Sequence, residues 1–103
     1  MGTMPKKDIR QLESKIQRQI LDYLDTIPNL YAIKVLTANV RGVPDILCCH
    51  KSKFIAFEVK SKWNLTTAIQ RYNLDTIIKA GGTAAVVRSV SEVKRILGEV
   101  ECD

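Results

Sequence analysis

Residues 44–60, PDILCCHKSKFIAFEVK, hold two apolar runs separated by HKSK and bounded by acids at their outer ends. Runs of this length and composition read as strands, and the polar break between them reads as a hairpin turn. A turn centred on Lys51 and Ser52 fixes the register, and with it the face of every side chain. Leu47 then faces Ala56, Cys49 faces Phe54, and Asp45 faces Glu58, all on one side. Ile46–Phe57 and Cys48–Ile55 pair on the other. Both faces are apolar, which predicts a central, buried hairpin rather than a solvent-facing edge.

The same register creates a conflict. Like charges directly opposed across a ladder repel, and here Asp45 opposes Glu58 on a sheet meant for burial. A protonated acid, a different register or an intervening cation would each relieve it. A hard divalent ion suits oxygen ligands, and magnesium accepts one or two carboxylates together with water. Lys60 lies two residues beyond Glu58 and so projects from the same face. At about 100° per residue, Glu13 falls within the arc of Ile9, Ile16, Ile20 and Leu24, so a third acid is expected to point inward. Plainer roles stay open. Pro44 opens a strand, Asp45 caps a turn, Glu58 pairs with Lys60 or Lys62, and Glu13 reaches water from the edge of its stripe.

Around the hairpin, apolar residues at helical spacing from Ile9 to Ile27 predict a first helix over roughly 7–26, stopped by Pro28. LYAIKVLT (30–37) alternates and reads as a strand, followed by the loop ANVRG. A second helix is expected from about Thr67 to Lys79, closed by AGG, whose glycines accept positive φ. TAAVVR (83–88) reads as a fourth strand. Ser89 and Glu92 then have the spacing of a capping box for a last helix, with Gly98 as its stop. The order α-β-β-β-α-β-α implies a mixed central sheet flanked by helices, an α/β class.

The chain of 103 residues is expected to form a single domain over 1–103, with residues 1–6 disordered or tag-derived. A formal charge of +5 and a pI near 9.3 suit a polyanionic partner such as nucleic acid, though many basic domains bind none. No apolar run approaches a membrane span, and the start MGTMPKKD lacks the apolar core of a secretory signal, so a cytoplasmic location is expected. Cys48 and Cys49 are adjacent in a strand and point to opposite faces, so CCH lacks zinc-ligand spacing. With Cys102 they read as buried, reduced thiols. His50, in the turn, reads as structural.

GVPD (42–45), twelve intervening residues and then EVK (58–60) resemble the metal-site motif of PD-(D/E)xK nucleases. Gln70, AGG at 80–82 and the following TAAVV resemble the virus-type replication-repair nuclease (VRR-NUC) branch of that superfamily. The resemblance runs from Glu13 to Val87 and implies a restriction-endonuclease-like α-β-β-β-α-β core with an added C-terminal helix. It also implies metal-dependent hydrolysis of DNA phosphodiesters. Asp45, Glu58 and the Val59 backbone carbonyl would hold Mg²⁺ or Mn²⁺, with Glu13 binding directly or through water. Lys60 would orient or help deprotonate the attacking water, or stabilise developing charge, and Gln70 would position Lys60, the water or a phosphate. Tyr72 would take the place of an aromatic found a few positions after that glutamine in many relatives.

Arg41, Lys62, Arg71 and Lys34 are candidates for phosphate contacts, which position DNA without reading its sequence. Trp63 is a candidate for stacking on a base, or equally for packing over the second helix. Stand-alone relatives occur in phages and bacteria. The implied activity is a structure-selective endonuclease in DNA repair, acting as a Holliday-junction-resolvase-like homodimer on branched DNA. A flap, end-processing or general DNA nuclease, a non-catalytic DNA-binding module and a plain interaction domain are the alternatives.

Overall fold

The computed structural model describes residues 3–101, so Cys102 lies outside the described residues. Three helices and four strands follow one another as α1 (Lys6–Asp25), β1 (Leu30–Lys34), β2 (Ile46–His50), β3 (Lys53–Val59), α2 (Ala68–Lys79), β4 (Thr83–Val87) and α3 (Val90–Glu101). They form one four-stranded sheet in the order β1-β2-β3-β4. The β1–β2 and β2–β3 pairs are antiparallel and β3–β4 is parallel, with α2 as the crossover that a parallel pair requires. This is the mixed α/β sheet of a restriction-endonuclease-like fold.

The hairpin register is the expected one, from Ile46↔Phe57 to Cys49↔Phe54. It is set by a two-residue turn in which Lys51 and Ser52 both take positive φ, 52° and 66°. Such a turn matches the twist of the strands, and here non-glycine residues accept its strained conformation.

The two sheet faces are covered unequally. Ile46, Cys48, Ile55, Phe57, Val59 and Val87 form one face, buried under Ile20 and Leu24 of α1 and Val93, Ile96, Leu97 and Val100 of α3. Full burial of side chains such as Phe57, Ile20 and Leu24 stabilises the fold by about 1.5–3 kcal/mol each. The opposite face is covered by α2 only over β3 and β4. Tyr31 is 68% exposed there and Phe54 46%, with Ile33 and Cys49 also open. The hairpin is therefore central in strand order, but only one of its faces is buried along its whole length. Cys49 is exposed, contrary to the expectation of a buried thiol. Cys48 is buried, and that burial, followed by the neighbouring Cys49, pushes its thiol up to about 12.

Two element ends differ from expectation. β1 stops at Lys34 instead of Thr37. Only the Val35 N–H continues the pairing, to the Asp45 carbonyl at 2.8 Å. α3 runs through Gly98 to Glu101. Glycine costs a helix about 1 kcal/mol, less than the burial of Val100 two residues later contributes. The cap before α3 is also shifted. Ser89 Oγ accepts the Glu92 N–H at 3.2 Å, but the Glu92 carboxylate reaches back to the Arg88 N–H.

Candidate active site

Asp45, Glu58 and Lys60 share the sheet face covered by α2, at the end where β2 begins and β3 ends. Pro44 explains how they come together. Its missing N–H stops the β2–β3 ladder at Ile46↔Phe57. The next β3 donor on that side, the Val59 N–H, is taken by the Asp45 side chain, Oδ2 accepting at 2.7 Å. Position 44 lies opposite Val59 in the continued register, so proline offers the Val59 carbonyl no ladder partner either. The adjacent Lys60 N–H points the other way, to the Val87 carbonyl at 3.0 Å. A two-residue motif thus aims one carboxylate and one carbonyl into the same corner.

Glu58 completes that corner. It is 2% exposed, and its Oε1 is buried without a hydrogen-bond partner. Oε2 lies 3.8 Å from Lys60 Nζ, whose own side chain is 7% exposed. Burial, then the Asp45 charge and a side-chain hydrogen bond with Asp45, push the Glu58 carboxyl up to about 8 against the pull of the Lys60 ammonium. Taking a lone carboxylate out of water costs several kcal/mol, as much as two core side chains contribute, so protonation at neutral pH is the cheaper state.

The loop before Asp45 is braced on α2. Gly42 has φ +77°, and a Cβ there would meet the Ile69 backbone at 3.0 Å, so both conformation and space require glycine. Asn73 Nδ2 donates to the Arg41 carbonyl at 3.0 Å and ties the same loop down.

Glu13 reaches the neighbourhood from the flank of the sheet. α1 packs on the opposite sheet face, so Glu13 passes the end of β3 rather than crossing the sheet. There its Oε2 accepts the Ser61 N–H at 2.9 Å and Asn64 Nδ2 at 3.2 Å. Its charge is felt at Glu58 as a minor upward influence. Among the described residues, no three His, Cys, Asp or Glu side chains converge on one point. The available donors are two carboxylates and a carbonyl, with the orphaned Glu58 Oε1 among them. That sparse oxygen set fits a magnesium- or manganese-like ion that keeps several waters.

Gln70 is committed to a capping box. Thr67 Oγ1 accepts the Gln70 N–H at 3.2 Å, and Gln70 Oε1 accepts the Thr67 N–H at 2.9 Å. The spacing T-x-x-Q carried this signal in the sequence. Arg71 donates to the Thr66 carbonyl at 2.7 Å from the same exposed turn. Lys62 Nζ sits 5.1 Å from the centre of the Trp63 ring. Trp63 is 46% exposed and lies beside the start of α1, not over α2. Asn64 and Ser61, which hold Glu13, were not singled out from sequence; a polar SxxN after the ExK strand is too common to be diagnostic. His50, at the far end of the hairpin, is 2% exposed, and its Nε2 is 2.7 Å from Glu101 Oε1. That bond holds the exposed Glu101 carboxyl below the usual carboxylate range.

No family profile matches the sequence, and no curated protein matches it significantly. Solved structures do match. A VRR_NUC domain superposes with a TM-score of 0.71 at 19% identity, over 84% of this chain and 95% of the other. A VRR_NUC domain protein gives 0.69 at 16% identity over 84% of each chain. Hjc, a Holliday junction resolvase from the archaeal hyperthermophile Archaeoglobus fulgidus, gives 0.57 at 27% identity, over 74% of this chain and 67% of its own. The chain therefore has a VRR-NUC-like nuclease fold.

Proposed function

We propose that this protein is a metal-dependent, structure-selective DNA endonuclease that cuts branched DNA. The observation that carries the reading is the corner formed by Asp45, the orphaned Glu58 Oε1 and Lys60. Likeness to VRR_NUC domains and to a Holliday junction resolvase supports it, as does the net charge of +5. Asp45, Glu58 and the Val59 carbonyl would hold the divalent ion, with Glu13 acting through water. When bound, the ion supplies positive charge at the scissile phosphate and acidifies water.

The protein's own groups supply the rest. Lys60 is held beside Glu58 by its buried stem, and its ammonium offers a hydrogen-bond donor to the attacking water or to developing phosphate charge. Glu13 fixes the Ser61 backbone next to it. Gln70 holds the first turn of α2, so its contribution to positioning runs through the helix that braces Gly42. Arg41, Lys62 and Arg71 would make the contacts to backbone phosphates.

The test is cleavage of matched four-way, flap and linear duplex substrates with Mg²⁺ or Mn²⁺. Preferential cutting of the four-way form is expected, with none in chelator. No cutting of any branched substrate would leave a DNA-binding module as the better account.

A homodimer is supported by the open sheet face. Tyr31, Ile33, Cys49 and Phe54 present an apolar surface that a second copy can cover. Ile33→Asp is expected to convert a dimer to a monomer in size-exclusion chromatography with light scattering, with the helical signal unchanged. A parent that is already monomeric at micromolar concentration, or a variant that stays dimeric, rejects this interface.

A further inference from the structure

Trp63 is the protein's single tryptophan, and it is half exposed on a backbone that is firmly held. Ser61 Oγ accepts the Trp63 N–H at 3.2 Å, the Asn64 N–H donates to the Ser61 carbonyl at 3.3 Å, and Arg88 Nη2 donates to the Asn64 carbonyl at 3.2 Å. An aromatic ring carried on a held backbone and left half in water is open to contact.

Met4, Pro5, Lys6 and Ile9 line a groove with the indole. A second groove, lined by Lys6, Ile9, Arg10 and Asn64, shares Lys6 and Ile9 with the first. Together they make one trough along the first turns of α1. It begins at Trp63 and ends at Asn64, whose amide donates to Glu13 and which follows Lys60 by four residues. An aromatic platform, aliphatic walls and a cationic rim form the combination on which single-stranded nucleic acid binds, the base stacking and the backbone meeting the cations. Among the described residues, the ion pairs involve none of Lys6, Arg10 and Lys62.

We propose that this trough holds one unpaired nucleotide of the DNA substrate beside the candidate active site. Its base stacks against Trp63 and its backbone phosphate lies against Lys6 and Arg10. The proposal rests on the nuclease reading for the identity of the substrate, and deepens it by naming what the site recognises. A base inside a continuous duplex has both faces covered by its neighbours and cannot enter. A base at a branch, flap or end can. Trp63 thereby becomes a specificity residue for interrupted over continuous DNA.

Because Trp63 is the sole tryptophan, its fluorescence reports the trough directly. In chelator, where no cutting occurs, a thymidine oligomer and a duplex with unpaired arms are expected to quench it, while a relaxed, covalently closed circular duplex, which has neither ends nor loops, is not. Trp63→Ala should weaken binding of the thymidine oligomer about 10-fold by anisotropy, and Trp63→Phe should restore most of it. Lys6→Ala with Arg10→Ala should reduce the salt dependence of binding while leaving the quench at saturation. An unchanged emission at saturation, or equal quenching by the closed circular duplex, overturns the proposal. So does quenching that depends on protein concentration without DNA, which would mean that a second copy fills the trough. Cleavage without quenching removes the trough and leaves the nuclease reading. Quenching by unpaired DNA without cleavage supports the trough and removes that reading.

Discussion

Glu58→Gln is expected to lower metal-dependent cleavage by at least about 100-fold while raising the melting temperature of the metal-free protein at pH 8. The two effects have one cause. Glu58 is buried with Oε1 unpartnered and Asp45 beside it, so its ionised form opposes folding. A neutral amide of the same shape removes the buried charge but cannot serve as an anionic ligand. A residue retained for stability alone would behave in the opposite way, since breaking a structural buried pair is destabilising.

Asp45→Asn should lose cleavage to a similar degree without gaining stability. Its carboxylate accepts the Val59 N–H at 2.7 Å, a charge-assisted bond that an amide oxygen makes less strongly. Lys60→Ala should also stop cutting, and should leave junction binding largely intact. Initial rates on a four-way junction, junction affinity in chelator and thermal melts of each variant provide the comparison. Full cleavage by both Glu58→Gln and Asp45→Asn would show that the chemistry lies elsewhere.

The central part of this architecture was legible because a tight turn leaves little freedom. Once Lys51 and Ser52 are the turn, every cross-strand neighbour follows, and the facing of Asp45 and Glu58 needs no tertiary information. The reach of Glu13 was not legible in the same way. Helical periodicity says that Glu13 lies on the buried stripe of α1, but not which side of the sheet that stripe covers. α1 took the face of Ile46 and Phe57, so Glu13 reached Ser61 around the strand end. The uncovered half of the other face escaped for a related reason. Apolar residues on both sides of β2 call for cover without saying whether it comes from the same chain, and α2 spans only β3 and β4. Gln70 was open to a local reading that family likeness obscured, since Thr67 and Gln70 have capping spacing whatever else the glutamine does.

The proton held at Glu58 would compete with any divalent ion that binds there. In the folded protein this carboxyl ionises near pH 8, against 4.5 for the free group. Between those values the folded state binds the proton and the unfolded state does not. Stability from this group is thus fully present below pH 4.5 and is lost as pH rises through about 8. The decline cannot exceed about 1.4 kcal/mol per pH unit within that window, and Glu58→Gln should flatten it. A divalent ion must displace the same proton, so its affinity should climb with pH across the window and its binding should release protons. At pH 5.5, millimolar Mn²⁺ is expected to leave the melting temperature nearly unchanged. At pH 8.5, saturation near 100 times the dissociation constant corresponds to about 2.7 kcal/mol, and for a chain of this size to a rise on the order of 10 °C. Melting curves with Mn²⁺ or chelator at the two pH values, on parent and Glu58→Gln, decide the matter. A shift of equal size at both pH values, or one that survives in the variant, would place the ion away from Glu58.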